Sequence, residues 1–117
     1  LPPKPAVIQE SQKTERIDLN QTNVLKLVHS SGRELTINSG DLLGRGQGQH
    51  TDILSGFKFL SGKHATIISN GSWIIKDLNS TNKTYLNGNV LEANKDYNIK
   101  TGDKIKLADQ EFTVYEN

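Results

Sequence analysis

Short apolar segments that recur about every ten residues are the feature of this chain that most limits its possible folds. Most of them alternate apolar with polar residues or are rich in β-branched and aromatic side chains, as half-buried strands are. Turn-forming sequences such as Asn70-Gly71 and Asn87-Gly88 separate them, and no stretch of helical periodicity is long. The segments span residues 24–29, 34–38, 41–44, 64–68, 72–77, 83–87, 96–100, 104–108 and 111–116. This spacing predicts an all-β sandwich.

Residues 45–63 interrupt this pattern. The segment is rich in glycine and contains only one or two short strand candidates. Loops of this length in a compact domain usually have a function, so we expect this one to matter for what the protein does.

The first 23 residues differ in composition from the rest. All three prolines lie here, and a polar stretch follows them. This composition predicts either a linker, extended near the prolines and flexible beyond them, or a tail with no role of its own. We therefore expect a tail over 1–23 and one domain over 24–117. Because the chain begins at Leu1 with no leader pattern, we also expect a fragment of a longer protein without a secretion signal.

Composition removes several classes of function. The net charge is only +1, whereas a nucleic-acid module has a strong positive excess, so we expect no nucleic-acid partner. The absence of cysteine excludes a disulfide scaffold, a Cys-ligated zinc site and a thiol nucleophile. No apolar run reaches the roughly 18 residues of a membrane-spanning helix, so we expect no membrane insertion. The histidines His29, His50 and His64 have no metal-like spacing, and we expect no metal or cofactor.

Two glycine-rich stretches resemble nucleotide-binding motifs but depart from them. In GRGQGQ (44–49) the third glycine of a dinucleotide fingerprint comes one position early, and no helix pattern follows. In GFKFLSGK (56–63) the glycines enclose five residues instead of four, and His64 stands where a P-loop needs Ser or Thr. Ser61 and His64 do not form a nucleophile elbow, and no orienting acid is evident. We expect no catalytic residues.

Three segments remain that combine a strand end with polar groups suited to a doubly charged anion: LLGR (42–45), LSGKHATI (60–67) and DLNSTNKTYLNG (77–88). A guanidinium binds phosphate bidentately, hydroxyl and amide groups donate hydrogen bonds, and glycine allows a backbone N–H to approach closely. The candidate binding residues are Arg45, Ser61, Gly62, Lys63, Thr81 and Asn82.

The order and internal spacing of these segments resemble those of a forkhead-associated (FHA) domain, over about Val24 to Glu116. The resemblance implies a β-sandwich of about eleven strands whose loops at one end bind phosphothreonine peptides. By motif position, Arg45 and Ser61 contact the phosphate, and Lys63 contacts or flanks it. Thr81 shapes the pocket for the threonine side chain, and Asn82 binds the peptide backbone.

The resemblance also implies residues that support the loops: Gly44, His64, Asn87 and Gly88. Two positions depart from the family pattern. Lys83 occupies a position where the family often has glycine, and it is mildly strained if the backbone there needs a positive φ. Otherwise it adds charge at the rim of the site, where it is a candidate specificity residue. Gly62 occupies a position where the family commonly has a larger polar residue.

Phe59 lies two residues before the motif serine, a position that in the family often helps to read the third residue after the phosphothreonine. An apolar group here predicts a preference for Ile or Leu at that place in the peptide, and the alternative is that Phe59 packs in the core. Thr14, with Ile17 three residues on, is a candidate phosphosite in the tail through which the chain would bind itself.

The resemblance thus predicts a non-catalytic phosphothreonine-binding adaptor whose partner is marked by a Ser/Thr kinase, in the cytoplasm or, in a eukaryote, the nucleus. The alternative is a scaffold domain of the same fold that binds its partner without phosphorylation. Scaffold domains of that kind tend to lack the arginine and the serine, and both are present here.

Overall fold

The structure, a computed structural model, describes residues 24–116. Strands and one short helix follow one another in this order: β1 (Val24–His29), β2 (Glu34–Asn38), β3 (Asp41–Leu43), α1 (Thr51–Leu54), β4 (Ala65–Ser69), β5 (Trp73–Asp77), β6 (Thr84–Leu86), β7 (Asn89–Val90), β8 (Asp96–Ile99), β9 (Lys104–Leu107) and β10 (Gln110–Glu116).

These strands form two antiparallel sheets. The larger sheet has six strands in the order β2-β1-β10-β9-β6-β7, and the smaller has four in the order β3-β4-β5-β8. The chain therefore crosses between the sheets after β2, after β5, after β7 and after β8, and the first of these crossings leads into β3 and the long segment after it.

The core lies between the inner faces of the two sheets. In β1 the side chains of Leu25 and Leu27 are fully buried while their neighbours are half-buried, and β5 shows the same alternation at Trp73 and Ile75. Successive side chains of a strand point to opposite faces, so a period of two places one apolar row against the other sheet. Each fully buried side chain of this kind contributes about 1.5–3 kcal/mol to folding.

The architecture confirms the predicted all-β sandwich. Each of the nine predicted segments corresponds to a strand whose ends agree to within one residue. Over residues 24–116 there are ten strands, one fewer than the expected eleven. The two-residue strand β7 was not predicted, because it is too short to show a period. The one or two strands considered within 45–63 are wrong, since that loop contains only the single helical turn α1.

The predicted tail over 1–23, with Thr14 and Ile17, lies outside the described residues, as does Asn117. Within the described part, the single helix is only four residues long, and no helix there has the length and apolar character required to cross a bilayer.

Candidate functional site

Two loops meet at one end of the sandwich and enclose an open depression of about 330 Å³. One is the β3–β4 loop, residues 44–64, and the other is the β5–β6 loop, residues 78–83. The residues that line the depression are Arg45, Lys58, Phe59, Leu60, Ser61, Gly62, Thr81 and Asn82. Five of the six candidate binding residues are therefore brought together, and Lys63 is exposed beside them without lining the depression.

The two ends of the β3–β4 loop are in contact. The Arg45 N–H donates to the Ser61 carbonyl at 3.0 Å, and the Gln47 N–H donates to the Gly62 carbonyl at 3.1 Å. This approach requires Gly44, because a Cβ there would collide with the carbonyl oxygen of Gly62. The contact places Arg45 beside Ser61 although 16 residues separate them in sequence.

Ser61 connects the two loops. Its Oγ accepts a hydrogen bond from the Thr81 N–H at 2.9 Å, and its own N–H donates to Nδ1 of His64 at 3.0 Å. Since the hydroxyl oxygen is acting as an acceptor toward Thr81, the hydroxyl proton remains available to donate to a ligand.

Arg45 and Asn82 are both oriented by carbonyl groups of the β3–β4 loop. Nη1 of Arg45 donates to the Lys58 carbonyl at 3.0 Å, and Nδ2 of Asn82 donates to the Phe59 carbonyl at 2.8 Å. A guanidinium has five N–H donors, so Arg45 retains most of them for an anion. The amide oxygen of Asn82 remains able to accept a hydrogen bond from a peptide.

His64 supports the site from beneath. Its side chain is fully buried, with Nδ1 accepting from Ser61 and Nε2 donating to the Lys83 carbonyl at 2.9 Å. Burial lowers the pKa of His64 below its ordinary value of 6.5, and the hydrogen bond to Lys83 and the charge of Asp77 oppose this only in part. A neutral ring is also what the geometry requires, because a protonated Nδ1 would not accept from Ser61.

Asp77 supports the second loop, a role that sequence reasoning missed. Its buried carboxylate accepts hydrogen bonds from the N–H of Ser80 at 3.0 Å, the hydroxyl of Ser80 at 2.5 Å and the hydroxyl of Thr84 at 2.6 Å. Burial alone would raise the pKa of the Asp77 carboxyl, but these hydrogen bonds and nearby His64 hold it below 3.8. The available signal was an Asp followed three residues later by Ser, the spacing of a side-chain-closed turn.

Asn87 and Gly88 form the two-residue turn between β6 and β7, with φ of 51° and 87°. Positive φ at both positions is the geometry of a type I′ hairpin, which Asn-Gly favours. The Asn87 side chain also accepts from the Lys104 N–H at 2.9 Å and donates to Asp103 at 3.2 Å. These residues therefore support the β6–β7 hairpin against β9, and neither lines the depression.

Three further residues of the two loops differ in whether they line the depression. Phe59 is 53% exposed and lines the depression, so it does not pack in the core. Lys83 has a φ of 72°, the strained region for a residue with a Cβ, and its exposed side chain lies outside the lining. Lys58 also lines the depression and was not predicted. Its neighbours in sequence show no periodic pattern from which to tell whether its side chain faces the depression.

The FHA domain family model matches residues 32–108, more than half of the chain. The chain belongs to the FHA family. The matched segment contains every candidate site residue from Gly44 to Gly88 and both loops of the depression. This FHA domain is also 45% identical, over 51 residues, to an FHA domain-containing protein of Arabidopsis thaliana. That match covers 43% of this chain and only 13% of the relative's length.

Solved structures agree with this assignment. An FHA domain studied for its phosphothreonine-dependent interactions is 28% identical, with a TM-score of 0.67 over 80% of this chain and 97% of that domain. EmbR of Mycobacterium tuberculosis, solved in complex with a low-affinity phosphopeptide, is 26% identical, with a TM-score of 0.68 over 80% of this chain and 24% of EmbR. An FHA domain of Arabidopsis thaliana is 32% identical, with a TM-score of 0.63 over 81% of this chain and 86% of that one.

Proposed function

We propose that this FHA domain is a phosphothreonine-dependent peptide-binding module, the non-catalytic adaptor part of a larger signalling or regulatory protein. The observation that carries the proposal is that Arg45 and Ser61, from opposite ends of one long loop, line the same depression. The similarity to FHA domains solved for phosphothreonine-dependent interactions and with a phosphopeptide supports it.

The lining offers three kinds of donor to a phosphate. Arg45 supplies a charged planar fork, and Ser61 supplies a hydroxyl whose oxygen is already held by Thr81. The N–H of Gly62 has no hydrogen-bond partner among residues 24–116, so it supplies a backbone donor. No Asp or Glu is among the lining residues, and the depression therefore favours a dianion over a neutral side chain.

These donors set the scale of the affinity. Hydrogen bonds to a charged group contribute about 1.5–3 kcal/mol each, so three of them give about 5–9 kcal/mol. Ordering a flexible peptide costs several kcal/mol. When contacts of the peptide outside the phosphate are added, the net free energy of binding corresponds to a Kd near the micromolar range, about 8 kcal/mol. Binding of this strength is reversible, as a signalling adaptor requires.

The other lining residues define the peptide. Thr81 shapes the wall against the threonine side chain, Asn82 binds the peptide backbone, and Lys63 flanks the phosphate. The additional methyl of threonine contributes only about 0.8 kcal/mol, about fourfold over serine. Phe59 presents an exposed apolar surface at the depression, which favours Ile or Leu three residues after the phosphothreonine.

An oriented library of phosphothreonine peptides, applied to the full chain, identifies a binding sequence. That peptide is then titrated in three forms, with phosphothreonine, threonine and glutamate, by isothermal calorimetry. We expect at least a hundredfold preference for the phosphorylated form over the other two, since three charge-assisted bonds depend on it. Substitution Arg45→Ala abolishes this preference, whereas Arg33→Ala, an exposed arginine in the β1–β2 turn, preserves it.

Equal binding of the phosphorylated and unphosphorylated forms would overturn the proposal and favour an FHA-fold scaffold that binds independently of phosphorylation. An effect of Arg33→Ala as large as that of Arg45→Ala would show that general charge, and not the depression, causes the preference.

We further propose that a Ser/Thr kinase phosphorylates the partner and that the partner binds in the cytoplasm, or in the nucleus of a eukaryote.

A further inference from the structure

The lysines of this domain fall into two groups that differ in their intramolecular partners. Away from the depression, Lys26, Lys76, Lys95 and Lys100 each pair with a carboxylate. Lys104 donates to a threonine hydroxyl, and Lys106 lies over a tyrosine ring. Within residues 24–116, the side chains without such a partner are those of Lys58, Lys63 and Lys83.

All three unpaired lysines belong to the two loops that enclose the depression. The β5–β6 loop contains no Asp or Glu, and the single acid of the β3–β4 loop, Asp52 in α1, does not line the depression. Lysines elsewhere in the described part have nearby acceptors or an aromatic ring, so the lysine side chains without a partner are confined to these two loops. Charge of this kind raises the local concentration of an anionic ligand and strengthens its binding.

Lys58 is the one of the three that lines the depression. Its carbonyl accepts the Arg45 guanidinium at 3.0 Å, so the backbone of Lys58 is fixed directly beside the group that binds the phosphate. Two cations therefore occupy the lining with no acid between them. Arg45 and the three unpaired lysines carry four positive charges, whereas a phosphate carries about −1.5 to −2 at pH 7, so a single phosphate leaves about two of these charges without a counter-charge.

We propose that the partner peptide carries a second anionic group beside its phosphothreonine, and that Lys58 binds this group. The inference rests on the proposed phosphothreonine-dependent function and specifies its ligand class. An extended peptide advances about 3.3–3.6 Å per residue, so the second anion lies within about two residues of the phosphothreonine. The chemistry admits two sources, the carboxylate of Asp or Glu and a second phosphate on Ser or Thr.

The test uses the peptide selected from the oriented library, with its neighbouring residues made neutral. Glutamine, glutamate and phosphoserine are placed in turn at each of the two positions before and after the phosphothreonine. Glutamine has the shape of glutamate without its charge, so the affinity ratio of the glutamate to the glutamine form isolates the charge. We expect a ratio of about three to five at one position or more for glutamate, and about tenfold for phosphoserine.

The matched variants are Lys58→Gln in the lining and Lys100→Gln, which removes the same charge next to Ile99, where β8 pairs with the start of β5 at the end opposite the β5–β6 loop. Lys58→Gln reduces the glutamate-to-glutamine ratio to about one, whereas Lys100→Gln leaves it unchanged. Lys63→Gln and Lys83→Gln leave the ratio close to that of the unchanged chain, because their side chains lie outside the lining. Raising the salt from about 0.05 M to 0.3 M reduces the ratio, as screening requires.

Two results overturn the inference. If the affinity ratio is near one at all four positions for both glutamate and phosphoserine, the domain does not recognise a second anion. If the ratio is unchanged in Lys58→Gln, Lys58 does not bind that anion. Either result leaves the phosphothreonine dependence of the glutamine peptides intact. If those glutamine peptides instead bind equally well with threonine, the proposed function fails, and the inference fails with it.

Discussion

The facing glycines Gly44 and Gly62 provide the sharpest test of how the site is built. Both have φ outside the positive region, so alanine is compatible with either backbone conformation. They differ in space: a Cβ at Gly44 would collide with the Gly62 carbonyl oxygen and lie 2.9 Å from the Gln47 carbonyl oxygen, whereas a Cβ at Gly62 meets nothing within 4 Å. The same substitution therefore has opposite expected effects at the two positions.

The magnitudes follow from these surroundings. At Gly62 alanine removes conformational freedom from the unfolded chain and stabilises by about 0.4–1 kcal/mol. At Gly44 the added methyl meets backbone that must move, a crowding that costs about 1–3 kcal/mol. The difference between the variants is about 1.4–4 kcal/mol, and each kcal/mol shifts Tm by about 4–8 °C in a domain of this size.

The assay is thermal and urea unfolding of Gly44→Ala, Gly62→Ala and the unchanged chain, followed by phosphopeptide titration of each. Gly44→Ala also displaces the Arg45 N–H from the Ser61 carbonyl, so we expect its phosphopeptide affinity to fall together with its stability. If Gly44→Ala is as stable as Gly62→Ala, the two ends of the β3–β4 loop do not approach as described, and the account of the depression is wrong.

Further predictions concern single side chains of the site. Ser61→Ala removes one charge-assisted hydrogen bond and weakens phosphopeptide binding about tenfold to a hundredfold by calorimetry; a Kd within twofold of the unchanged chain would contradict its assigned role. Lys83→Gly relieves a strained φ of 72°, so we expect urea unfolding to show an unfolding free energy higher by up to about 1 kcal/mol. The control is Asn79→Gly, at a φ of 59°, which leaves the unfolding free energy almost unchanged because asparagine tolerates this region. The lowered pKa of His64 means that the folded chain binds fewer protons than the unfolded chain below pH 6.5, so the unfolding free energy falls as the pH decreases from 6.5 toward that lowered pKa. His64→Gln removes this dependence between pH 7.5 and 5.5 in the absence of ligand, and an identical slope in both proteins would refute the assignment.

Local patterns in the sequence determined most of the sandwich. Period-two alternation in segments such as 24–29 and 104–108 depends on neighbouring residues alone, and turn residues such as Asn87 and Gly88 mark strand ends through their own backbone preferences. Chemical type also marked Arg45 and Ser61 among the candidate anion-binding residues, because guanidinium and hydroxyl groups donate hydrogen bonds to phosphate. That the two act together on one phosphate was implied by the resemblance to FHA domains.

Tertiary structure decided how those groups meet. The β3–β4 loop has no repeating pattern, so its path depends on contacts made across the fold, and the closure of Gly44 on Gly62 appears only when both loop ends are positioned by β3 and β4. The same closure places Lys58 in the lining and leaves Lys63 outside it, although both are lysines of the same loop and nothing in the local sequence distinguishes them. Side-chain identity is a local property, whereas the side of a long loop that faces a ligand is set by packing between residues far apart in the chain.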